Sequence, residues 1–325
     1  MKITILGVGA FGLALARVFH SNGVEVTLWT KFKEEYDIVT LKRENPGILP
    51  GVKIPDEIEI TTDLEQSIKK SEVIVFAIPL KAIRSVAKEL KDIITEKQIL
   101  CIASKGIEQV TNNFISDIIE EETRHENICV ISGPTFAKEI AHGGSTGFIV
   151  ASKNDTSSAI IKSCLENDNI FVSTSRDLIG VQVAAASKNV FAILMGYVSS
   201  KDITDSTKAS ILTCLVNDLR LIIEVLGGKQ QTIFTYAGIG DMLLTCMSNK
   251  SRNYTFGSYI GQGLTKEEAL EKMETPTVEG LYTLDSLRDA LNDRQVEVNS
   301  INLLYDIVYN NKKIDNILGS IRNNW

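Results

Sequence analysis

The chain is poor in the residues that hold metals or staple small folds: it has five cysteines and three histidines in 325 residues. The cysteines (Cys101, Cys129, Cys164, Cys214 and Cys246) are scattered, odd in number and form no CxxC pair. None of His20, His125 and His142 stands at metal-ligand spacing. Neither a disulfide framework nor a metal site is expected, and the thiols should be reduced. A basic excess is also missing, with 34 Lys and Arg against 41 Asp and Glu and a formal net charge of −7. Binding a polyanion needs a basic stripe, so no nucleic-acid partner is expected. The longest apolar stretch, around Val190–Met195, is too short to span a bilayer, which argues against stable membrane insertion. The opening KITIL reads as a strand and lacks the layout of a secretion signal, so a cytoplasmic location is expected.

What is present is an ordinary globular mixture, 44% hydrophobic and 23% charged, long enough for two domains. Runs at Ile3–Leu6, Val24–Trp29, Val73–Ile78, Ile99–Ala103 and Ile128–Ile131 read as buried strands. Between them Phe11–Ser21, Leu64–Lys69, Lys81–Leu90 and Asn113–Glu120 carry helical periodicity. Such alternation implies parallel pairing, right-handed crossovers and an open doubly wound sheet. Phe148–Ala151 and Ile170–Thr174 extend the sheet and put the domain edge at residue 177. A proline- and glycine-bearing segment, Arg43–Gly51, reads as a shaped loop.

Beyond Asp177 the strand signals fade. Val181–Met195, Lys208–Leu226, Met242–Cys246, Arg252–Gly261, Glu267–Met273, Val278–Leu291 and Ile301–Tyr309 read as helices, with Gly227-Gly228 ending the second. Residues 178–325 are therefore expected to form an all-helical domain. The polar Asn310–Lys313 and Asn323-Asn324 are expected to fray.

The most specific local signal is Gly7-x-Gly9-x-x-Gly12, set directly between a strand and an apolar helix. There the first glycine allows a tight turn, the second admits a pyrophosphate to the backbone, and the third lets helix and strand pack closely. The helix N-terminus offers unpaired N–H groups to the phosphates. This context makes residues 1–177 a Rossmann-type dinucleotide-binding domain. No Asp or Glu ends the second strand, Thr27-Leu28-Trp29-Thr30-Lys31, to take the ribose hydroxyls; the nearest acids are Glu34 and Glu35. Lys31 is placed to meet a 2′-phosphate, which favours NADP acceptance.

Other candidates are weaker one by one. Lys105 follows a strand end, where ligands of open α/β sheets bind. Ser132-Gly133-Pro134-Thr135 also follows a strand, and on its own it reads as a turn with Thr135 capping a helix. Lys188 shares a helical face with Val181, Ala184, Ala185 and Ala192, so a long cation rises from small side chains. It is either a ligand-facing group whose burial would depress its pKa or a lysine that snorkels to water. Gly238-Ile239-Gly240-Asp241 ends a turn in a carboxylate, either a helix cap or a partner for a cation. Ser251-Arg252-Asn253 looks like a cap followed by an arginine at a helix start, a good phosphate site.

Taken together, GVGAFGLALA, ENPGILPGVKIP, SKGIE, SGPTFAKEIA, AASKNVFAI, GIGDMLLTC and SRNYTFGSYIGQG resemble, in order, the bacterial NAD(P)-dependent glycerol-3-phosphate dehydrogenase family. The resemblance runs along essentially the whole chain. It implies reversible reduction of dihydroxyacetone phosphate to sn-glycerol 3-phosphate for phospholipid synthesis, with NAD or NADP, by a homodimer. It implies that Gly7, Gly9, Ala10, Phe11, Gly12, Lys31, Lys105, Ala137, Arg252, Thr277 and Glu279 bind the nucleotide. Substrate positions would be Lys105, Gly133, Thr135, Lys188, Asp241, Ser251, Arg252 and Asn253, with Lys188 catalytic. The chain departs from the family pattern at Ala184-Ala185, Ser187, Cys214 and Asn299-Ser300. Two alternatives remain: a related reductase of another small acid, such as ketopantoate, and a dinucleotide sensor without turnover. The ordered SKGIE and SRN elements argue against the first. The joint presence of Lys188, Asp241 and Arg252 argues against the second.

Overall fold

The computed structural model describes residues 1–273 and 277–322, so the expected fraying of Asn323-Asn324 lies outside the described residues. The chain forms two compact units: Met1–Lys105 with Asn113–Leu178, and Gly106–Asn112 with Ile179–Trp325.

The first unit holds strands β1 (Lys2–Leu6), β2 (Glu25–Trp29), β3 (Glu59–Thr61), β4 (Val73–Phe76), β5 (Ile99–Ile102), β6 (Ile128–Ser132), β7 (Thr146–Ser152) and β8 (Ile170–Ser175). They form one sheet in the order β3-β2-β1-β4-β5-β6-β7-β8. Its helices are α1 (Ala10–Ser21), α2 (Lys33–Lys42), α3 (Leu64–Ile68), α4 (Leu80–Leu90), α5 (Ile115–Thr123), α6 (Ala137–Ala141) and α7 (Asp155–Leu165). This is the doubly wound sheet that the alternating pattern predicts. One pairing departs from it. β6 and β7 run antiparallel, while the other neighbours are parallel. Their connection contains only the short α6, so the chain turns back instead of crossing over. Sequence periodicity also misses β3, α2 and α7. β3 has three residues and none is fully buried. α2 buries only Val39, leaving no apolar stripe to read. α7 is rich in Ser and Thr, which favour turns, and is started by Asn154 accepting from the Thr156 N–H.

The Arg43–Gly51 loop is shaped as expected. Arg43 takes a left-handed conformation (φ 48°), and Leu49, Val52, Ile54 and Ile58 enter the same core as α1 and the strands.

The second unit contains α8 (Leu178–Ser199), α9 (Asp205–Val225), α10 (Asp241–Cys246), α11 (Arg252–Gly261), α12 (Lys266–Glu271), α13 (Glu279–Asn292), α14 (Asn299–Tyr309) and α15 (Ile317–Ile321). A 3-10 turn, Gln230–Phe234, and a kinked turn, Tyr236–Gly240, precede α10. Gly227 ends α9 at φ 95°. α8 corrects the reading of the apolar run: its 22 residues are long and apolar enough to cross a membrane. It is 94% buried over that window, which makes it a core helix. α11 reaches α8 backbone to backbone. A Cβ on Gly257 would lie 1.9 Å from the Ile193 carbonyl oxygen, and one on Gly196 would lie 1.9 Å from that of Tyr254.

All five cysteines are free and buried. Burial holds the thiols of Cys101, Cys164, Cys214 and Cys246 above their usual range and pushes Cys129 to about 11. Thiolate, the reactive form, is scarce in each. The folded protein should therefore react only slowly with an aromatic disulfide reagent near neutral pH, and all five thiols should titrate once it is denatured. Rapid release of chromophore from native protein would contradict this packing.

Candidate active site

The dinucleotide turn is built at the end of β1. The Gly7 N–H donates to the Trp29 carbonyl at 2.8 Å, and Gly7 sits at φ 112°. A Cβ on Gly7 would lie 2.6 Å from the Ala77 carbonyl oxygen, and one on Gly12 would lie 2.4 Å from that of Gly7. Packing alone demands both glycines. Gly9 differs: a Cβ there would meet nothing within 4 Å. Gly9 is the N-cap of α1, no side chain caps this helix, and no acid stands in its first turn. Open space beside uncapped N–H groups fits the pyrophosphate of a dinucleotide. Asn45, from the proline loop, donates to the Val8 carbonyl at 3.3 Å and ties that loop to the turn. Ala10, Phe11 and Ala137 are half-buried on one core cluster, and Arg17 Nε donates to the Ala141 carbonyl at 3.1 Å, holding α6 on α1.

At the end of β2, Lys31 is exposed, but its Nζ lies 2.7 Å from Glu89 Oε1 on α4. The Thr30 hydroxyl donates to Glu35 Oε2 at 2.5 Å. The C-terminal end of the strand has no acid of its own, yet α2 returns one to it. Lys105 is half-buried just past β5, between Ser104, whose Oγ donates to the Ile78 carbonyl at 2.6 Å, and Gly106 at φ 128°. Gly133 follows β6, and a Cβ on it would lie 2.2 Å from the Gly147 carbonyl oxygen, so β7 alone requires a glycine. Thr135 is not a cap. The N-cap of α6 is Phe136, and Thr135 Oγ1 makes only a long contact, 3.4 Å, to the Gly133 carbonyl.

In the second unit the structure brings Lys188 and Asp241 together. Lys188 Nζ donates to Asp241 Oδ1, and the side chains are 8% and 0% exposed. Asp241 is the first residue of α10, not its cap, so its carboxylate also meets the positive end of that helix. The preceding turn bends at Gly238 (ψ −111°), where a Cβ would lie 2.2 Å from the Ile233 carbonyl oxygen. Thr245 Oγ1 donates to the Asp241 carbonyl at 2.7 Å. The Cys246 thiol beside the pair is held up by burial, with Lys188 opposing the shift and Asp241 adding to it.

Ser251 caps α11 by accepting from the Tyr254 N–H at 3.4 Å, as the sequence predicts. Arg252, the first residue of that helix, is exposed. Asn253 is buried and bonded on both sides: its Nδ2 donates to Asn189 Oδ1 at 3.1 Å and its Oδ1 accepts from the Gly280 N–H at 2.9 Å. Asn189 Nδ2 in turn donates to Glu279 Oε2 at 3.4 Å. Thr277 is exposed ahead of α13. The neighbours of Lys188 and Arg252 are thus joined, and one network links α8, α11 and α13.

Three comparisons bear on identity. The profile described as NAD-dependent glycerol-3-phosphate dehydrogenase N-terminus matches residues 2–158, and the corresponding C-terminus profile matches residues 177–319. The chain belongs to the NAD-dependent glycerol-3-phosphate dehydrogenase family. Among members of that family, the glycerol-3-phosphate dehydrogenase (NAD(P)+) of Fusobacterium nucleatum is 35% identical over 314 residues, covering 96% of this chain and 93% of that protein. The crystal structure of glycerol-3-phosphate dehydrogenase from Coxiella burnetii has a TM-score of 0.89 at 29% identity, covering 96% of this chain and 95% of that one. A ketopantoate reductase from Ralstonia eutropha matches at 12% identity with a TM-score of 0.61, over 94% of this chain and 97% of that one, and shares the fold alone. The ketopantoate alternative is not favoured.

Sequence reasoning passed over Asn189, Thr245 and Asn45. The first stands beside Lys188 and the second one helical turn after Asp241, so spacing carried a signal for both. Asn45 carried none, because its partner is a carbonyl 37 residues away. Among the departures from this glycerol-3-phosphate dehydrogenase family, Ser300 donates to Asp218 Oδ2 at 2.5 Å. Ser187 Oγ is buried with no hydrogen-bond partner among the described residues. Ala184 and Ala185 are buried in α8.

The contrast between Gly9 and Gly12 gives a test. Gly12→Ala should destabilise the fold by about 1–3 kcal/mol or more, since overpacking meets backbone. Gly9→Ala should leave stability within about 0.5 kcal/mol yet weaken dinucleotide binding about tenfold. Chemical denaturation and NADH fluorescence titration read the two effects separately.

Proposed function

We propose that this protein reduces dihydroxyacetone phosphate to sn-glycerol 3-phosphate with NADH or NADPH, reversibly, and so supplies glycerophospholipid synthesis. The buried Lys188–Asp241 pair carries the reading. A buried ammonium persists only beside a counter-charge, and Asp241 provides one fixed in place by α10 and Thr245. The dinucleotide is held by Gly7, Gly9, Ala10, Phe11 and Gly12, with Lys31, Lys105, Ala137, Arg252, Thr277 and Glu279 contributing. When bound, the reduced nicotinamide supplies a hydride to the ketone carbon. Lys188 donates its Nζ proton to the carbonyl oxygen, which becomes the secondary alcohol, and takes a proton back from solvent. In oxidation the same nitrogen accepts the proton. Asp241 keeps the ammonium oriented and charged between turnovers. The proposed substrate residues are Lys105, Gly133 and Thr135 in the first unit and Asp241, Ser251, Arg252 and Asn253 in the second. Arg252 and the first N–H groups of α11 take the phosphate, which is the role of an arginine at a helix start. Asn253 contributes from the backbone, because both ends of its amide are engaged.

A sensor without turnover is the second reading, and it leaves the buried ion pair without a purpose. Five reduced thiols suit a reducing cytoplasm. A homodimer is proposed from the family resemblance, and sedimentation equilibrium tests it.

Two variants test the chemistry. Lys188→Met keeps the length but not the proton, so kcat for dihydroxyacetone phosphate reduction should fall by about 10²–10⁴-fold or more. Dinucleotide binding should survive in the same variant, because the glycine turn lies in the first unit. Wild-type-like turnover in folded Lys188→Met removes Lys188 from the mechanism. Arg252→Ala should lower kcat/KM by about tenfold to hundredfold, as expected for one charged hydrogen bond. Arg252→Lys should restore little, since lysine lacks the planar fork. Unchanged kcat/KM in Arg252→Ala would place the phosphate elsewhere.

A further inference from the structure

We propose that Glu89 sets the cofactor preference by holding Lys31, so that this protein discriminates only weakly between NADPH and NADH. The inference rests on the reading above that the adenosine ribose sits at the end of β2. Lys31 is the cation there that a 2′-phosphate would meet, and alone it would favour NADPH. Its Nζ is already 2.7 Å from Glu89 Oε1, contributed by α4 from 58 residues along the chain. A 2′-phosphate carries close to two negative charges near neutral pH and must compete with that carboxylate for one ammonium. Glu35 brings a second carboxylate to the strand end through Thr30. Lys31 thus stands between the carboxylates of Glu35 and Glu89, which weakens its attraction for a dianion. NADH has only a hydroxyl at this position and loses nothing by the pairing.

Both partners of the pair are about half-exposed, with side chains 54% and 44% accessible. An ion pair this exposed shifts an equilibrium by roughly fivefold at most. Glu89→Gln should therefore raise affinity for NADPH relative to NADH by about twofold to fivefold. Glu89→Asp, which keeps the charge on a shorter arm, should change the ratio less.

The test is a double-mutant cycle read by fluorescence titration of NADH and NADPH without substrate, in wild type, Glu89→Gln, Lys31→Ala and the double variant. In wild type, Lys31→Ala should weaken NADPH more than NADH. The gain from Glu89→Gln should appear with Lys31 present and largely vanish with Lys31→Ala. The NADPH gain should shrink at high salt, which a change in folding would not produce. An unchanged NADPH-to-NADH ratio in Glu89→Gln overturns the proposal. An equal gain in both Lys31 backgrounds also overturns it, because Glu89 would then act on the phosphate directly. If wild type binds NADH normally and Lys31→Ala weakens both cofactors equally, the assignment of the 2′-phosphate position fails, and this inference fails with it.

Discussion

A lysine ammonium inside a buried helix is the constraint around which the second unit is organised. Taking such a charge out of water costs several kcal/mol unless a counter-ion meets it with good geometry. Asp241 is that counter-ion, and much of the local architecture brings it there. Gly238 lets the chain bend against Ile233, α10 begins at the carboxylate, and Thr245 fixes the backbone of that first turn. The lysine's own helix, α8, is approached by α11 through Gly196 and Gly257 at distances no side chain would allow. Asn253 then clamps α11 to α8 through Asn189 and to the start of α13 through Gly280. Lys188 and Arg252, the proposed proton donor and the proposed phosphate contact, therefore stand on helices whose separation is set by backbone contact, not by compressible side chains.

The first unit solves a different problem, how to leave room. Gly7 and Gly12 close the turn onto the strand, whereas Gly9 keeps clear the side where nothing of the protein approaches. The proline loop braces this turn from behind through Asn45 and contributes Leu49, Val52 and Ile54 to the core. A rigid back and an open front suit a site that must accept a large anion without rearranging.

Legibility in the sequence followed the range of the interactions. Strands β1, β2, β4 and β5 were readable because their buried runs are continuous, and the glycine turn because its spacing is local. The caps at Ser251 and Asn154 differ in this respect: both have a local mechanism, but α7 behind Asn154 lacks an apolar stripe, so only the first was foreseen. The antiparallel turn at β7 and the short β3 left no periodic trace. For Asp241 the sequence offered two roles and could not choose, since the choice depends on a lysine 53 residues earlier. Glu89 was invisible for the same reason. Pairs formed across tens of residues by exposed side chains have no signature in one sequence.

The composition of α8 has a consequence during synthesis. Until the second unit closes around it, this 22-residue apolar helix presents the surface of a membrane span. Lys188 stands near its midpoint, where insertion into a bilayer would carry a penalty of about 2.5–3.5 kcal/mol for that residue. Apolar neighbours at about −0.3 to −0.6 kcal/mol each would need several positions to offset it. The cation that the folded protein neutralises with Asp241 thus also biases the unfolded segment away from lipid. Replacing it with an apolar residue would remove both properties at once.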